Sequence, residues 1–88
     1  MYLPETRISD VALASWMRLP EELQEQIVES LNSPTIYQQA HRYVSRQNES
    51  EMWEFRINNF RVFYQKSGET RLILQVLTDQ EFHAMRRF

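Results

Sequence analysis

The sequence predicts an α+β fold in which a helical hairpin packs on an antiparallel sheet of three or four strands, with a short C-terminal helix. Apolar side chains recur at helical spacing in the first 33 residues, whereas apolar and polar side chains alternate from Met52 onward. A leucine-proline pair and an Asn58-Asn59 pair supply the breaks that a helical hairpin and a β-hairpin require.

At 88 residues the chain fits one domain, 1–88, near the size at which a single hydrophobic core still folds alone. The absence of cysteine excludes disulfides and thiolate metal sites, and two isolated histidines form no metal cluster. We therefore expect neither a metal nor a cofactor. No apolar run approaches the roughly 18 residues of a membrane span, so we expect a soluble, cytoplasmic protein without membrane contact.

Charge is unevenly distributed, although the net charge is only −2. Residues 1–33 hold six acidic and two basic side chains, whereas residues 34–88 hold six acidic and eight basic side chains. The acidic balance of the whole chain argues mildly against nucleic-acid binding. Arginine supplies all but one of the bases, however, and its planar guanidinium suits phosphate better than the ammonium of lysine does.

The first helix is expected from Val11 to Arg18, with Ser9 or Asp10 as the N-cap because either side chain can accept a backbone N–H. We expect four of its side chains to be candidates for the core: Val11, Ala14, Leu13 and Met17. Residues 2–8 are expected to form an edge strand, where Pro4 is tolerated.

The second helix begins after Leu19-Pro20, since proline is favourable at the first helical position, and ends near Asn32. Its apolar side chains recur at helical spacing opposite an acidic face: Leu23, Ile27, Val28 and Leu31. Residues 34–51 have no clear period and either extend a helix or pack beneath a loop.

A two-residue Asn58-Asn59 turn of type I′ predicts the first β-hairpin, because asparagine tolerates positive φ. This turn sets the register, in which Ile57 pairs with Phe60, Arg56 with Arg61, Phe55 with Val62, Glu54 with Phe63, and Trp53 with Tyr64. Six large side chains then share an inner, core-facing side: Trp53, Phe55, Ile57, Phe60, Val62 and Tyr64.

The next turn, around Ser67-Gly68-Glu69, is predicted to contain three residues, because only that length places Leu72, Leu74 and Val76 on the inner face. A two-residue turn would bury Arg71 and Gln75 instead. The outer face is then predicted to carry eight side chains: Glu54, Arg56, Arg61, Phe63, Gln65, Arg71, Ile73 and Gln75. A last short helix is predicted from Asp79 onward.

Arg56 and Arg61 face each other across the hairpin, and like charges in such a pair destabilise a sheet by up to about 1 kcal/mol. One interpretation is a network with Glu54 or another acid, or two side chains that splay into water. Another is an anion site in which both guanidiniums bind one phosphate while Phe63 stacks on a base. A third is an apolar patch of Phe63 and Ile73 that a partner covers.

Two segments, SDVALASWMRLPEELQEQIVESLNSP and MWEFRINNFRVFYQ, resemble the RelE/ParE superfamily of bacterial toxins over about residues 8–77. The resemblance implies a metal-independent ribonuclease that cuts messenger RNA at the ribosome. It also implies a cognate antitoxin that binds the toxin in a hetero-oligomer. Attack of a ribose 2′-hydroxyl on the adjacent phosphate needs a base, cations that stabilise the added negative charge, and an acid.

The resemblance places Arg61 at the family's hairpin arginine and Arg56 at a basic position of the preceding strand. Glu54 is the candidate base, with a simple salt bridge as its alternative role. His83 is the candidate acid, because Phe82-His83 resembles the ending of the HigB and YoeB branches; its alternative is an ordinary surface residue. RNA contacts are assigned to four further side chains: Phe63, Gln65, Arg71 and Arg46.

The acidic segment 77–81 departs from the basic ending of RelE, which a tyrosine follows. The acidic isoelectric point of the chain, about 5.6, favours a second function, because the affinity for RNA falls steeply as phosphate contacts are removed. In that alternative the chain is a catalytically inactive RelE-fold protein, such as a ParE-like inhibitor, that acts through protein-protein contacts.

Overall fold

The computed structural model describes residues 5–33, 36, 40–44 and 51–85. Its elements in chain order are strand β1 (Glu5–Ile8), helix α1 (Asp10–Met17), helix α2 (Glu21–Asn32), strands β2 (His41–Val44), β3 (Glu51–Ile57), β4 (Phe60–Ser67) and β5 (Thr70–Thr78), and helix α3 (Asp79–Met85). None of these helices is long and apolar enough to cross a membrane.

The described strands form one sheet in the order β1-β5-β4-β3-β2. Strand β1 pairs parallel with β5, and every other pair is antiparallel. The α+β class is confirmed, but the sheet has five strands rather than three or four and is not wholly antiparallel. The additional strand, β2, comes from the segment that showed no clear period, and it is recognisable only through its pairing with β3.

The predicted register of the β3-β4 hairpin is confirmed at all five pairs, from Ile57 with Phe60 to Trp53 with Tyr64. The turn type is wrong. A type I′ turn needs positive φ at both central residues, and among the described non-glycine residues only Asn58 has positive φ, at 52°. Register depends on the number of turn residues, so it survives the error in turn type.

The β4-β5 turn contains two residues, because Ser67 pairs with Thr70, and the predicted three-residue turn is wrong. Gly68 in this turn has φ 60°, a conformation that glycine adopts without strain. Farther along, Tyr64 pairs with Ile73 while Phe63 pairs with Gln75, so Leu74 is an extra residue on β5. This β-bulge reverses the alternation midway along the strand.

The two-residue turn and the bulge together divide the side chains of β5 between the two faces differently from the prediction. Arg71 and Ile73 lie on the inner face opposite Lys66 and Tyr64, and both are buried. The predicted outer positions of Arg71 and Ile73 are therefore wrong. So is the predicted inner position of Leu72, which pairs with the outer residue Gln65.

Leu74 also departs from its predicted inner position, because it lines a pocket with Phe63 on the outer face. Val76 is on the inner face as predicted, since the bulge restores the phase before it, and it pairs with Val62. Gln75 pairs with Phe63 and lies on the outer face, as predicted.

Helix α1 starts after the predicted N-cap Ser9, whose hydroxyl accepts the backbone N–H of Ala12 at 3.2 Å. Its core face differs from the prediction, because Ala12 is buried while Val11 and Met17 are 80% and 72% exposed. Leu13 and Ala14 are exposed too. Apolar side chains surround most of this short helix, so periodicity alone could not identify the buried face.

Helix α2 ends at Asn32, as predicted, but it begins at Glu21, and Pro20 is its N-cap rather than the predicted first helical residue. Leu23, Ile27 and Leu31 are buried, and Val28 is half-buried. With the inner face of the sheet they form the hydrophobic core, whose buried members are Ala12, Leu19, Leu23, Ile27, Leu31, Ile36, Phe55, Val62, Tyr64, Ile73 and Val76. The helical hairpin therefore covers the inner face.

Ser9 connects α1 to the bulge, because its hydroxyl accepts from Ala12 and donates to the Leu74 carbonyl oxygen at 3.2 Å. We expect Ser9→Ala to lower the free energy of unfolding by about 1–2 kcal/mol, through loss of the cap and of the hydrogen bond to the bulge. Urea denaturation measures this. The matched control is Ser15→Ala on the same helix, expected to change stability by less than about 0.5 kcal/mol. A Ser9→Ala variant as stable as the wild type would contradict this role.

Candidate functional site

The β3-β4 hairpin and the start of α3 bring four charged side chains together on the outer face: Glu54, Arg56, Arg61 and Asp79. Helix α3 directly follows β5, and the Asp79 N–H donates to the Asn59 carbonyl oxygen at 2.9 Å. Thr78 and Glu81 form a reciprocal capping box at the start of α3. These contacts hold the start of α3 against the hairpin turn.

Asp79 bridges the two arginines. Its Oδ1 accepts from Arg61 Nε at 3.0 Å, and its Oδ2 accepts from Arg56 Nη2 at 3.2 Å. Arg61 Nη1 also donates to Glu54 Oε1 at 3.0 Å. The repulsion across the hairpin is thus offset by a network with Glu54 and a second acid, which is the first of the three interpretations drawn from the sequence.

Arg61 is enclosed between the sheet and α3. Its side chain is only 13% exposed and that of Glu54 only 6%, whereas Arg56 is 60% exposed. The Arg61 guanidinium carbon lies 4.0 Å from the centre of the Phe82 ring, a cation-π contact. Phe82 in turn stacks on Phe63, with ring centres 5.9 Å apart and planes inclined by 27°.

The arginines also determine the protonation of the bridging acid. The hydrogen bond from Arg61 is the largest cause that holds the pKa of Asp79 below its ordinary value of 3.8, and the nearby charge of Arg56 acts in the same direction. Asp79 is therefore ionised near neutral pH. Two cations and two anions leave the cluster of Glu54, Arg56, Arg61 and Asp79 with no net charge.

The structure brings together three of the four candidate catalytic residues, namely Glu54, Arg56 and Arg61. The fourth, His83, is exposed on α3 and packs its ring edge-on against Phe82, with centres 5.9 Å apart. Among the described residues there is no group of three or more side chains able to hold a metal ion.

The four residues assigned to RNA contacts are separated. Phe63 is on the outer face as predicted, but it is buried beneath Phe82, so no base can stack on it in this arrangement. Gln65 is half-buried on the same face. Arg71 is on the inner face, away from this cluster, and Arg46 lies outside the described residues.

Sequence reasoning missed one contributor to this cluster, Asp79, which it treated only as part of the acidic segment 77–81. Asp79 lies beside the hairpin because Phe60 pairs with Thr78, the residue before it. A two-residue turn alone would pair Phe60 with Leu77, so this pairing requires the bulge as well. The neighbouring strand β2, whose His41 pairs with Glu54, was also missed, because its segment has no clear period.

An apolar pocket of about 330 Å³ lies beside the charged cluster on the outer face. Its lining comes from the sheet and α3: Met52, Phe63, Leu74, Gln75, Leu77, Phe82 and Met85. Leu74, the extra residue at the bulge, contributes to it, and Phe82 separates it from Arg61. We refer to this cavity as the outer-face pocket.

A family model described as the ParE toxin of type II toxin-antitoxin systems, parDE, matches residues 6–81. The chain belongs to this toxin family. The resemblance to the RelE/ParE superfamily seen in the sequence is therefore confirmed, and the chain is a toxin of a toxin-antitoxin system. The match includes the hairpin and the first residues of α3, up to Glu81.

Solved structures agree on the fold. The archaeal RelE-RelB complex from Pyrococcus horikoshii is similar with a TM-score of 0.66 and 13% identity, over 88% of this chain and 96% of that chain. The toxin-antitoxin complex RelBE2 from Mycobacterium tuberculosis is similar with a TM-score of 0.63 and 18% identity, over 88% and 99%. Curated proteins gave no match. At these identities the solved structures establish the fold alone.

The depressed pKa of Asp79 gives a pH prediction. A carboxyl group with a lowered pKa stabilises the fold above its ordinary pKa, and this contribution is lost as the pH falls through the folded-state pKa. We expect Asp79→Asn to lose less stability than the wild type between about pH 5 and about pH 3, measured by urea denaturation. The matched control is Gln80→Ala, an uncharged and exposed position beside Asp79 on α3, which should behave like the wild type. Equal pH dependence of Asp79→Asn and the wild type would contradict the bridging role.

Proposed function

We propose that this toxin acts by binding a target protein through its outer face and does not cleave RNA. The observation that carries the proposal is the engagement of Arg61, which donates to two carboxylates and packs on an aromatic ring. A ribonuclease of this fold would need that guanidinium for the scissile phosphate.

The free energies involved favour the ion pairs of Arg61 over binding of Arg61 to a phosphate. A phosphate that took Arg61 from Glu54 would break an ion pair whose carboxylate is largely buried, and breaking a buried ion pair costs up to about 3–5 kcal/mol. The new hydrogen bond from Arg61 to the phosphate would contribute about 1.5–3 kcal/mol, the usual value for a hydrogen bond to a charged group. Arg56 is exposed, but Asp79 neutralises it and would repel an approaching phosphate. The charged cluster is thus better suited to holding α3 than to binding nucleic acid.

The outer-face pocket suits a protein partner. A volume of about 330 Å³ accommodates one large side chain, and interface energy is concentrated where such an anchor fills a pocket. Met85 on α3 lines this pocket and is also exposed, so an incoming side chain can contact it. The neutral charged cluster alongside can serve as part of a polar rim.

An antitoxin is the second partner. The similar structures of P. horikoshii and M. tuberculosis are complexes with an antitoxin, and we propose a hetero-oligomer of the same kind here. The expected place of action is the cytoplasm.

The competing function is the messenger-RNA cleavage at the ribosome implied by the resemblance. One observation favours it: the His83 ring is exposed beside Phe82, on the same helix as the acid that binds Arg61. A rotation of α3 that separated Asp79 from Arg61 would release the guanidinium while His83 stayed beside it as the candidate acid. The two functions differ in whether RNA is cut.

Cleavage of messenger RNA in a translating extract distinguishes them, alongside growth arrest in cells. We expect wild-type growth arrest without RNA cleavage, because the cations of the charged cluster are neutralised. Cleavage that disappears in Arg61→Ala and in His83→Ala would overturn the proposal and establish the ribonuclease. If Arg61→Ala does not fold, Arg56→Ala provides the same comparison, because Arg56 is an exposed arginine of the same cluster. Arg18→Ala on α1 is the matched control.

Substitution at the pocket tests protein binding directly. We expect Met85→Glu to abolish growth arrest while the free energy of unfolding changes by less than about 0.5 kcal/mol, because a carboxylate in an apolar pocket excludes the anchor. Ala84→Glu, the adjacent and equally exposed position outside the pocket lining, should retain growth arrest. Full growth arrest by a folded Met85→Glu variant would exclude the pocket as the target site.

A further inference from the structure

Helix α1 leaves an apolar face uncovered. The four side chains that the sequence offered as candidates for the core are all exposed: Val11, Leu13, Ala14 and Met17. At about 100° per residue, Ala14 and Met17 project almost opposite the buried Ala12. Val11 and Leu13 flank them, one on each side. Because Val11 is 80% exposed and Met17 is 72% exposed, α1 retains apolar area that the fold of one chain does not bury.

The two ends of this face carry opposite charges. Asp10 and Arg18 are exposed, and each lies four residues from Ala14, so the three side chains form one row along the helix. Arg18 is the C-cap and has helical φ and ψ of −79° and −15°, so it continues the row. Among the described residues, no ion pair includes Asp10 or Arg18. Both charges can therefore pair with another molecule.

The order of acid, small residue and base makes the row complementary to itself. A second copy of α1 can lie antiparallel across the first, with Ala14 at the crossing point. The acid of each helix then meets the base of the other, because Asp10 and Arg18 are equally far from Ala14. Such a pair has twofold symmetry, so each contact occurs twice. A parallel pair would place acid against acid and base against base, so the charges select the antiparallel arrangement.

The small side chain of Ala14 suits it to the crossing point. Packed helices are separated by about 8–10 Å between axes, depending on the side chains at the contact, and a methyl group permits close approach. When rows of residues four apart pack against each other, the helices cross at about −50°, the commonest class in globular proteins. The adjacent row packs in the same way, so Leu13 of one copy would contact Met17 of the other.

We propose that two copies of this chain associate through α1, with Ala14 at the twofold axis and with Asp10 of each copy paired to Arg18 of the other. The helical hairpin covers the inner face of the sheet, so this contact leaves the outer-face pocket of each copy uncovered. The proposal therefore does not depend on the target site proposed above. One helix of eight residues spans about 12 Å, and interfaces below about 1,200 Å² belong to weak, transient complexes.

The first experiment is disulfide trapping, which is straightforward because the chain contains no cysteine. Ala14→Cys places one thiol of each copy at the crossing point, where the Cα atoms can come within the about 4.4–6.8 Å that a disulfide requires. In a buffer of reduced and oxidised glutathione, the two thiols are oxidised to one disulfide while one glutathione disulfide is reduced to two thiols. Non-reducing electrophoresis is expected to show mainly covalent dimer.

The matched control for trapping is Val11→Cys. Its thiol is accessible, but two copies of Val11 lie about 9 Å apart along the helices, because each is three residues from the crossing point. We expect at least about tenfold less covalent dimer than for Ala14→Cys, because the two thiols have a lower effective concentration. Urea denaturation verifies that both variants fold. Equal trapping of the two variants, or no trapping of Ala14→Cys, would overturn the proposal.

The second experiment exchanges the charges at the ends of α1. Sedimentation equilibrium of the wild-type chain is expected to show a dimer with a dissociation constant between about 10 µM and about 1 mM, as befits a small interface. Asp10→Lys and Arg18→Glu should each raise this constant about fivefold or more, because two attractions become two repulsions. The double variant should return to within about twofold of the wild type, because its ends are again complementary.

The double variant separates pairing from folding, because it combines the effects of both substitutions on the helix ends and is still expected to dimerise. Glu69→Lys, at an exposed acid in the β4-β5 turn, changes the net charge as Asp10→Lys does and should leave the dissociation constant within about twofold of the wild type. A wild-type chain that stays monomeric up to about 1 mM would overturn the proposal and assign this face to another protein. A double variant that dimerises no better than the single variants would overturn it too.

Discussion

The outer half of the structure depends on the contacts of one buried guanidinium. Arg61 extends from the middle of the sheet and donates to an acid on the neighbouring strand and to an acid at the start of α3, while its face packs on Phe82. A strand, a turn and a helix are thereby held by one side chain. Without it, the largely buried Glu54 would lose this ion pair, and α3 would lose one of its polar contacts with the sheet.

The same arrangement explains why the two faces of the molecule differ. On the inner side, the apolar core needs only the helical hairpin to cover it. On the outer side, Phe63 and Leu77 form a smaller apolar layer that α3 covers, and the bulge at Leu74 adds one more side chain to it. The charges beside that layer balance one another, so the outer face presents an apolar pocket rather than a positive surface. That is the physical basis of the proposal that this toxin binds a target protein and does not cleave RNA.

Sequence reasoning succeeded where one short-range rule determined the outcome. The Asn58-Asn59 turn set five strand pairs correctly, and Ser9 and Pro20 located the starts of both long helices. It failed at β5, because a constant period conceals both the two-residue turn, which puts Arg71 on the inner face, and the bulge, which returns Val76 to that face. The candidate site was half predictable: the arginine pair and Glu54 follow from register, but their neutralisation by Asp79 depends on how α3 meets the hairpin.

The most direct test of the central claim is the side-chain NMR signal of the Arg61 Nε–H during titration with a single-stranded RNA oligonucleotide. Because this proton is donated to Asp79 and the group is largely buried, the account predicts slow exchange with water and no change in its resonance at saturating RNA. The exposed Arg18 serves as the reference for non-specific contact. A shift of the Arg61 resonance that follows RNA concentration and vanishes at high salt would show that the guanidinium leaves its carboxylates for phosphate, and would contradict the account.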